Sequence, residues 1–182
     1  MTPLHRGIHE ISRRKLKNPA LAANIQACVL ELIAKKGRVH ISDNAGCHPL
    51  HLAAKYGLHE LVDPLLDAGA DATHPSKNKW TPVHWAAAEG HVQCITKLVA
   101  REGKVNHYGP YTEQSAPVPP LHLAIQSSQI LAVETLLKLH AAPDTPDING
   151  RTPLHYAADA GNLQILEMIL AISRQESPSD YE

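Results

Sequence analysis

Paired apolar residues recur along the chain at matching places. Leu65-Leu66, Leu98-Val99, Leu136-Leu137 and Ile169-Leu170 form one set; Leu61-Val62, Cys94-Ile95, Ala132-Val133 and Ile165-Leu166 precede them by four residues. A step of four returns to the same side of an α-helix, so each matched set reads as the buried stripe of a helix. Upstream of each stripe stands a second apolar word that opens on proline: Pro49-Leu50-His51-Leu52-Ala53-Ala54, Pro82-Val83-His84-Trp85-Ala86-Ala87, Pro120-Leu121-His122-Leu123-Ala124-Ile125 and Pro153-Leu154-His155-Tyr156-Ala157-Ala158. Proline suits the first helical turn, where its missing N–H has no intrahelical partner. The pattern predicts pairs of short helices, the first regular pair over 49–56 and 59–68, with Gly57 and Gly69 at the exits. Pro64 falls inside the second of these and predicts a local kink.

The four prolines stand at 49, 82, 120 and 153, separated by 33 (82−49), 38 (120−82) and 33 (153−120). A fixed period in this range marks a stacked-repeat architecture. The words Thr81-Pro82-Val83-His84 and Thr152-Pro153-Leu154-His155, followed by Ala-Ala and then Gly90 or Gly161, resemble the signature of the ankyrin repeat family over roughly residues 43–172. The resemblance implies an all-α fold: an ankyrin-repeat solenoid of helix-turn-helix units joined by β-hairpin-like loops. Its four repeats fall at about 43–75, 76–110, 111–145 and 146–172. It also assigns the recurring His51, His84, His122 and His155, with His5 as a candidate fifth, to a structural role. Each imidazole is expected to link the hydroxyl that opens its own helix (Thr81, Thr152) to the backbone of the neighbouring repeat. His48 and Pro119 stand where that hydroxyl is expected, so each of those copies should be weaker by about 1 kcal/mol.

The second regular repeat departs from pattern at its exit. Glu102 occupies the slot of Gly69 and Gly103 follows, which predicts an exit one residue late. Thirteen positions separate Asn106 from Pro119, against eight from Asp144 to Thr152, an insertion of five in one loop. In the third repeat Ser128 and His140 replace glycines. Residues 1–42 are irregular. Thr2-Pro3-Leu4-His5 repeats the signature, yet Pro3 precedes Pro49 by 46 residues, thirteen more than the period. They are expected to form a degenerate capping repeat with helices over 4–16 and 20–36, or a basic arm. Residues 173–182 are polar and acidic and are expected to be disordered.

Composition sharpens this picture in a few respects. Phenylalanine is absent and aromatics make up 4% of the chain, so the core must be aliphatic and alanine-rich. Residues 1–41 hold eight Lys/Arg against two Asp/Glu, a net of +6; residues 42–182 hold nine against sixteen, a net of −7. The run Arg13-Arg14-Lys15-Leu16-Lys17 reads as the solvated face of a capping helix, with a nucleic-acid patch as the rival. The acidic remainder and the lack of stacking-aromatic motifs argue against nucleic acid. No stretch approaches the ~18 apolar residues of a membrane span. Three cysteines are too few and scattered for a disulfide framework, which suggests a reducing, intracellular compartment, the cytoplasm or the nucleus. Cys28 and Cys94 are expected in the core and Cys47 on an exposed hairpin limb. Cys47-His48 with His51 falls short of the four converging ligands of a structural zinc site, and no catalytic motif is present. No cofactor, metal or catalytic residue is expected, and the chain reads as monomeric and non-enzymatic.

In the family, partners meet the hairpin residues before the signature and the two residues after Ala-Ala. Carried over, the candidate partner-binding residues are Lys77, Asn78, Trp80 and Arg151 on hairpins, with Lys55, Tyr56, Glu89, Gln126 and Asp159 on first helices. Tyr108 and Tyr111 on the inserted loop over 106–118 join them. Trp80 stands out because Trp, Tyr and Arg dominate interface hot spots. The expected anchor is an aromatic cluster of Trp80, Tyr108 and Tyr111 that grips another protein. Trp85 shares its repeat position with Leu52, Leu123 and Tyr156 and reads as packing. The alternatives are a nucleic-acid-associated factor using the basic N-terminal segment, and a bacterial effector or targeting subunit acting on a host protein.

Overall fold

A computed structural model describes residues 1–15, 17–35, 37–108 and 118–175. Its helices come in antiparallel pairs: α1 (Pro3–Arg14) with α2 (Pro19–Ala34), α3 (Pro49–Lys55) with α4 (Val62–Asp67), α5 (Pro82–Ala88) with α6 (Val92–Ala100), α7 (Pro120–Gln126) with α8 (Ile130–Lys138), and α9 (Pro153–Asp159) with α10 (Leu163–Gln175). First helices pack on first helices in chain order and second helices on second helices, which makes two parallel layers of one stack. No strand occurs among the described residues, so the chain is an all-α solenoid. No helix among them is long and apolar enough to cross a membrane.

The interior is aliphatic and alanine-rich. Ala53, Ala54, Ala86, Ala87 and Ala124 are wholly buried beside Leu50, Val83 and Leu121. Small side chains let the first helices approach closely, while Leu65, Leu98 and Leu136 fill the space under the second helices.

Among the described residues three hairpin-like loops close the same way. The N–H of Asp43, Ser76 and Asp147 donates to the carbonyl of Cys47, Trp80 and Arg151 at 2.8–2.9 Å. The position before the last of these residues needs a left-handed backbone. Gly46 (φ 72°) and Gly150 (φ 75°) fill it in two copies, and Lys79 (φ 67°) in the third.

The structure departs from the sequence reading at several places. The expected helix over 59–68 is divided: residues His59–Leu61 form a single 3-10 turn, α4 starts only at Val62, and Pro64 lies in its first turn, where no donor is needed. The α6 exit is in register rather than late, because Glu102 itself adopts φ 71° and Gly103 is packed against Leu98 O. Cys28 is exposed and Cys47 is buried, the reverse of expectation; Cys94 is buried as expected. Cys47 closes the loop in front of α3, and its carbonyl is held by His5 from α1. Cys28 lies on the side of α2 that no repeat covers. The helices over Pro3–Arg14 and Pro19–Ala34 lie within two residues of the expected 4–16 and 20–36.

Candidate functional site

The site is built on a histidine ladder. Thr81 N–H donates to His84 Nδ1 at 3.2 Å, so that nitrogen is the acceptor, and the threonine hydroxyl also donates to it at 2.7 Å. Thr2 with His5 and Thr152 with His155 repeat the arrangement, the hydroxyl at 2.6 Å and 2.8 Å. A ring that accepts on Nδ1 carries its proton on Nε2. That Nε2–H donates forward to the next unit: His5 to Cys47 O at 3.0 Å, His51 to His74 O at 2.9 Å, His122 to Arg151 O at 3.3 Å. The two copies without threonine are not equivalent. His48 still donates its backbone N–H to His51 Nδ1 at 3.0 Å. Pro119 has neither N–H nor hydroxyl, and His122 Nδ1 is left buried with no partner. Burial, with the neighbouring His48, pulls the His51 pKa down to about 4; burial, with His107, pulls His84 down to about 3. Both rings are neutral in the fold.

On the N-terminal half of the stack this ladder places several of the candidate residues around a groove of about 330 Å³. Lys55, Tyr56, Lys77 and Asn78 line it, together with Trp85 and His9. Tyr56 sits at the end of α3, and its hydroxyl donates to His9 Nδ1 at 2.8 Å across to α1. Burial lowers the His9 pKa and keeps that nitrogen available as an acceptor. Lys55 Nζ lies 4.5 Å from the Trp85 ring centroid, a cation–π distance. Its backbone is set from the next repeat, since His91 Nε2 donates to Lys55 O at 3.0 Å. A Cβ on Gly57 would meet that imidazole at 2.7 Å, which is why glycine stands there. Trp80 packs edge-on against Trp85, centroids 4.7 Å apart. Lys77 Nζ donates to Asn44 O at 2.9 Å and ties the two hairpins together, while Asn78 accepts from Ser76 Oγ.

The other candidates lie elsewhere. Glu89 is exposed at the end of α5, and its charge, after burial, helps raise the Tyr56 pKa. Gln126 is exposed at the end of α7. Arg151 pairs with Asp159 and lies 4.7 Å from the Tyr156 ring, whose hydroxyl donates to Asp147 at 2.8 Å. Tyr108 donates to Pro146 O at 3.4 Å, toward the last repeat. The expected Trp80–Tyr108 cluster does not form among the described residues: the ring partner of Trp80 is Trp85. Tyr111 lies outside the described residues.

Trp85 and His9 are the site residues that sequence reasoning passes over. Trp85 is half-buried and contributes one ring face to the groove, and its indole N–H is buried without a partner. The available signal is its size: the matching Leu52, Leu123 and Tyr156 are smaller. His9 has no counterpart in the regular repeats, so no register points to it. Among the described residues no three metal-ligating side chains converge. The basic run on α1 is solvent-exposed, with Arg13 and Arg14 both pairing with Glu10.

Comparison with known proteins agrees with this architecture. The family model described as "Ankyrin repeats (3 copies)" matches residues 20–109 and 104–178. The chain is 36% identical over 123 residues to the transient receptor potential channel pyrexia of Drosophila melanogaster, covering 67% of this chain and 12% of that protein. It is 30% identical over 157 residues to the human transient receptor potential cation channel subfamily A member 1, covering 85% and 14%. With the mouse nuclear factor NF-kappa-B p105 subunit the figures are 31% over 144 residues, 77% and 14%. This chain thus spans a small part of the length of each. The repeated helix pairs, the histidine ladder and the matched profile establish that the chain belongs to the ankyrin repeat family.

Proposed function

We propose that the chain is a non-enzymatic, intracellular protein-recognition module whose partner protein binds the groove between the first two hairpins. The observation that carries this is the state of Lys55 and Trp85. Among the described residues no carboxylate pairs with Lys55, whose ammonium rests on an indole that itself has an unmet N–H. A partner carboxylate placed there pairs with the Lys55 ammonium without breaking an existing ion pair. Trp80 and Tyr56 add rigid aromatic area, and Lys77 and Asn78 form a polar rim. Preformed inter-repeat bonds limit the ordering needed on binding. We further propose that residues 1–42 cap the stack and that Arg151 and Asp159 form a secondary contact. The relatives include channels and a nuclear factor subunit, all sharing the repeat, which is in keeping with an interaction role.

The test is affinity purification with the full chain, identification of the captured protein by mass spectrometry, and calorimetric titration of it against Trp80→Ala and Lys55→Glu. Each variant should weaken binding tenfold or more. Unchanged affinity in both, with circular dichroism unaltered, would reject the groove.

A further inference from the structure

The second helices meet differently at two successive joints. One repeated bond fixes their register: the N–H of Gly37, Ala70 and Gly103 donates to the carbonyl of Leu32, Leu65 and Leu98 at 2.7–2.9 Å, a step of 33 residues each time. In that register the joint between α4 and α6 carries a chain of ion pairs. Lys97 pairs with Asp63, and Arg101 pairs with both Asp63 and Asp67. At the joint between α2 and α4 the same four places hold Leu30 for Asp63, Ala34 for Asp67, Pro64 for Lys97 and Ala68 for Arg101. No charge stands at any of the four, and two long side chains give way to a proline and an alanine.

The space follows these residues. Beside α4 and α6 lies a hollow of about 380 Å³, with Asp71, Thr73, Arg101 and Glu102 on its lining. Its counterpart between α2 and α4 reaches about 1010 Å³. Leu30, Ile33, Ala34, Val39, Pro64 and Ala68 give it an apolar wall. It lies between two repeats of the chain, with a wall from each.

Its charge is one-sided. Arg38 and His40, on the connector that leaves α2, stand on the lining, and both are exposed. Among the described residues no carboxylate pairs with Arg38. Asp67 is the one carboxylate on the lining, and Arg101 already holds it. Sites for small molecules run up to about 1,000 Å³, mostly apolar with a few polar groups that fix orientation. Each helical wall is a single turn, residues 30–34 and 64–68, or about 6 Å long. The i, i+4 and i+7 anchors of a partner helix span about 10 Å and would overrun it. A compact occupant fits the walls, and the free guanidinium selects its charge.

We propose that this hollow binds a small apolar carboxylic acid. Its chain lies against Leu30, Pro64 and Ala68, and its carboxylate takes paired N–H···O bonds from Arg38. The site is separate from the hairpin groove, since none of Lys55, Tyr56, Lys77 and Trp85 lines it.

The probe is decanoate, titrated into the isotope-labelled full chain and followed by amide shifts, with decyltrimethylammonium as the control of opposite charge. The amides of Ala34, Gly37, Val39 and Ala68 should move to saturation, and those of Tyr56, Trp80 and Trp85 should stay. Arg38→Gln should weaken decanoate about tenfold and leave decyltrimethylammonium as it was. Ala34→Asp with Ala68→Arg copies the Asp67–Arg101 pair into this joint. With circular dichroism unchanged, that variant should no longer bind decanoate. Decanoate that moves none of the four amides leaves the hollow to the side chains of a partner protein and overturns the proposal. So does equal affinity in Arg38→Gln, saturation of the same amides by decyltrimethylammonium at the same concentration, or undiminished binding by the paired variant.

Discussion

The proline at position 119 makes the third repeat the weak link of the ladder, and replacing it with threonine should repair it. Three copies hold their imidazole Nδ1 with a threonine hydroxyl at 2.6–2.8 Å, and a fourth holds it with the His48 N–H at 3.0 Å. His122 Nδ1 has nothing. An unmet buried acceptor costs about 1–3 kcal/mol. Replacing a proline restores freedom to the unfolded chain and returns about 0.4–1 kcal/mol of that. Pro119→Thr should therefore stabilise by a net of about 1 kcal/mol. The backbone is ready for it: Pro119 has φ −58° and ψ 153°, close to the −82° and 169° of Thr81. Urea unfolding reads the change as a higher midpoint at constant slope. Pro119→Ala, which restores the N–H but no hydroxyl, should fall between the two, as the His48 copy does. In a His122→Leu background the acceptor is gone and Pro119→Thr should gain nothing or lose slightly. An equal gain in both backgrounds would mean that the threonine acts on the loop and not on the ring, and the reasoning would fail.

Acid should unfold the stack through the same rings. His51 and His84 titrate near 4 and 3 in the fold against 6.5 unfolded, so their contribution is complete above pH 6.5 and is lost as the pH falls toward the folded values. At pH 5 that loss amounts to about 2 kcal/mol per ring, and a thermal melt at pH 5 no lower than at pH 7.5 would contradict it. Glu102→Gly should stabilise by about 1 kcal/mol by relieving a left-handed backbone, while Glu102→Ala should not; equal midpoints for the two would exclude backbone strain as the cause. Ellman's reagent should find Cys28 alone in the native protein, because Cys47 is buried and burial pushes the Cys94 thiol up to about 12. Prompt reaction of a second thiol without unfolding would place one of the two in solvent.

The repeat register is legible because each apolar pair returns at the same distance from its proline, and stacking imposes that distance on every unit. What escapes is whatever depends on a residue having a neighbour in the stack. Cys28 and Cys94 read alike as apolar helix positions, yet one lies at the open end of the stack and the other under the next repeat. Glu102 misleads for a different reason. A glycine one residue on points to a later exit, but the α6 hydrogen bonds run out at the same step as in α4, and Gly103 is needed small against Leu98 O. Register assigns Trp85 to packing, and half of it does pack. Its other half becomes visible only through Lys55, one repeat earlier, which lies over it.

That last contact shows why the groove belongs to the stack and not to any single repeat. Lys55 comes from the first regular repeat, Trp85 and Trp80 from the second, and His9 from the helix before both. Lys55 is placed by His91 and Tyr56 by His9, so both are oriented by bonds that cross a repeat boundary. In a solenoid, stability is a sum of repeat terms and nearest-neighbour interface terms. Loosening one interface near the groove would shift the lysine relative to the indole before either repeat unfolds. The ladder histidines touch no partner in this scheme. They nevertheless set the frame of the groove: His5 fixes the carbonyl of Cys47, on the hairpin that carries Asn44 and Ala45, and His51 fixes that of His74, which leads into the hairpin that carries Lys77 and Trp80.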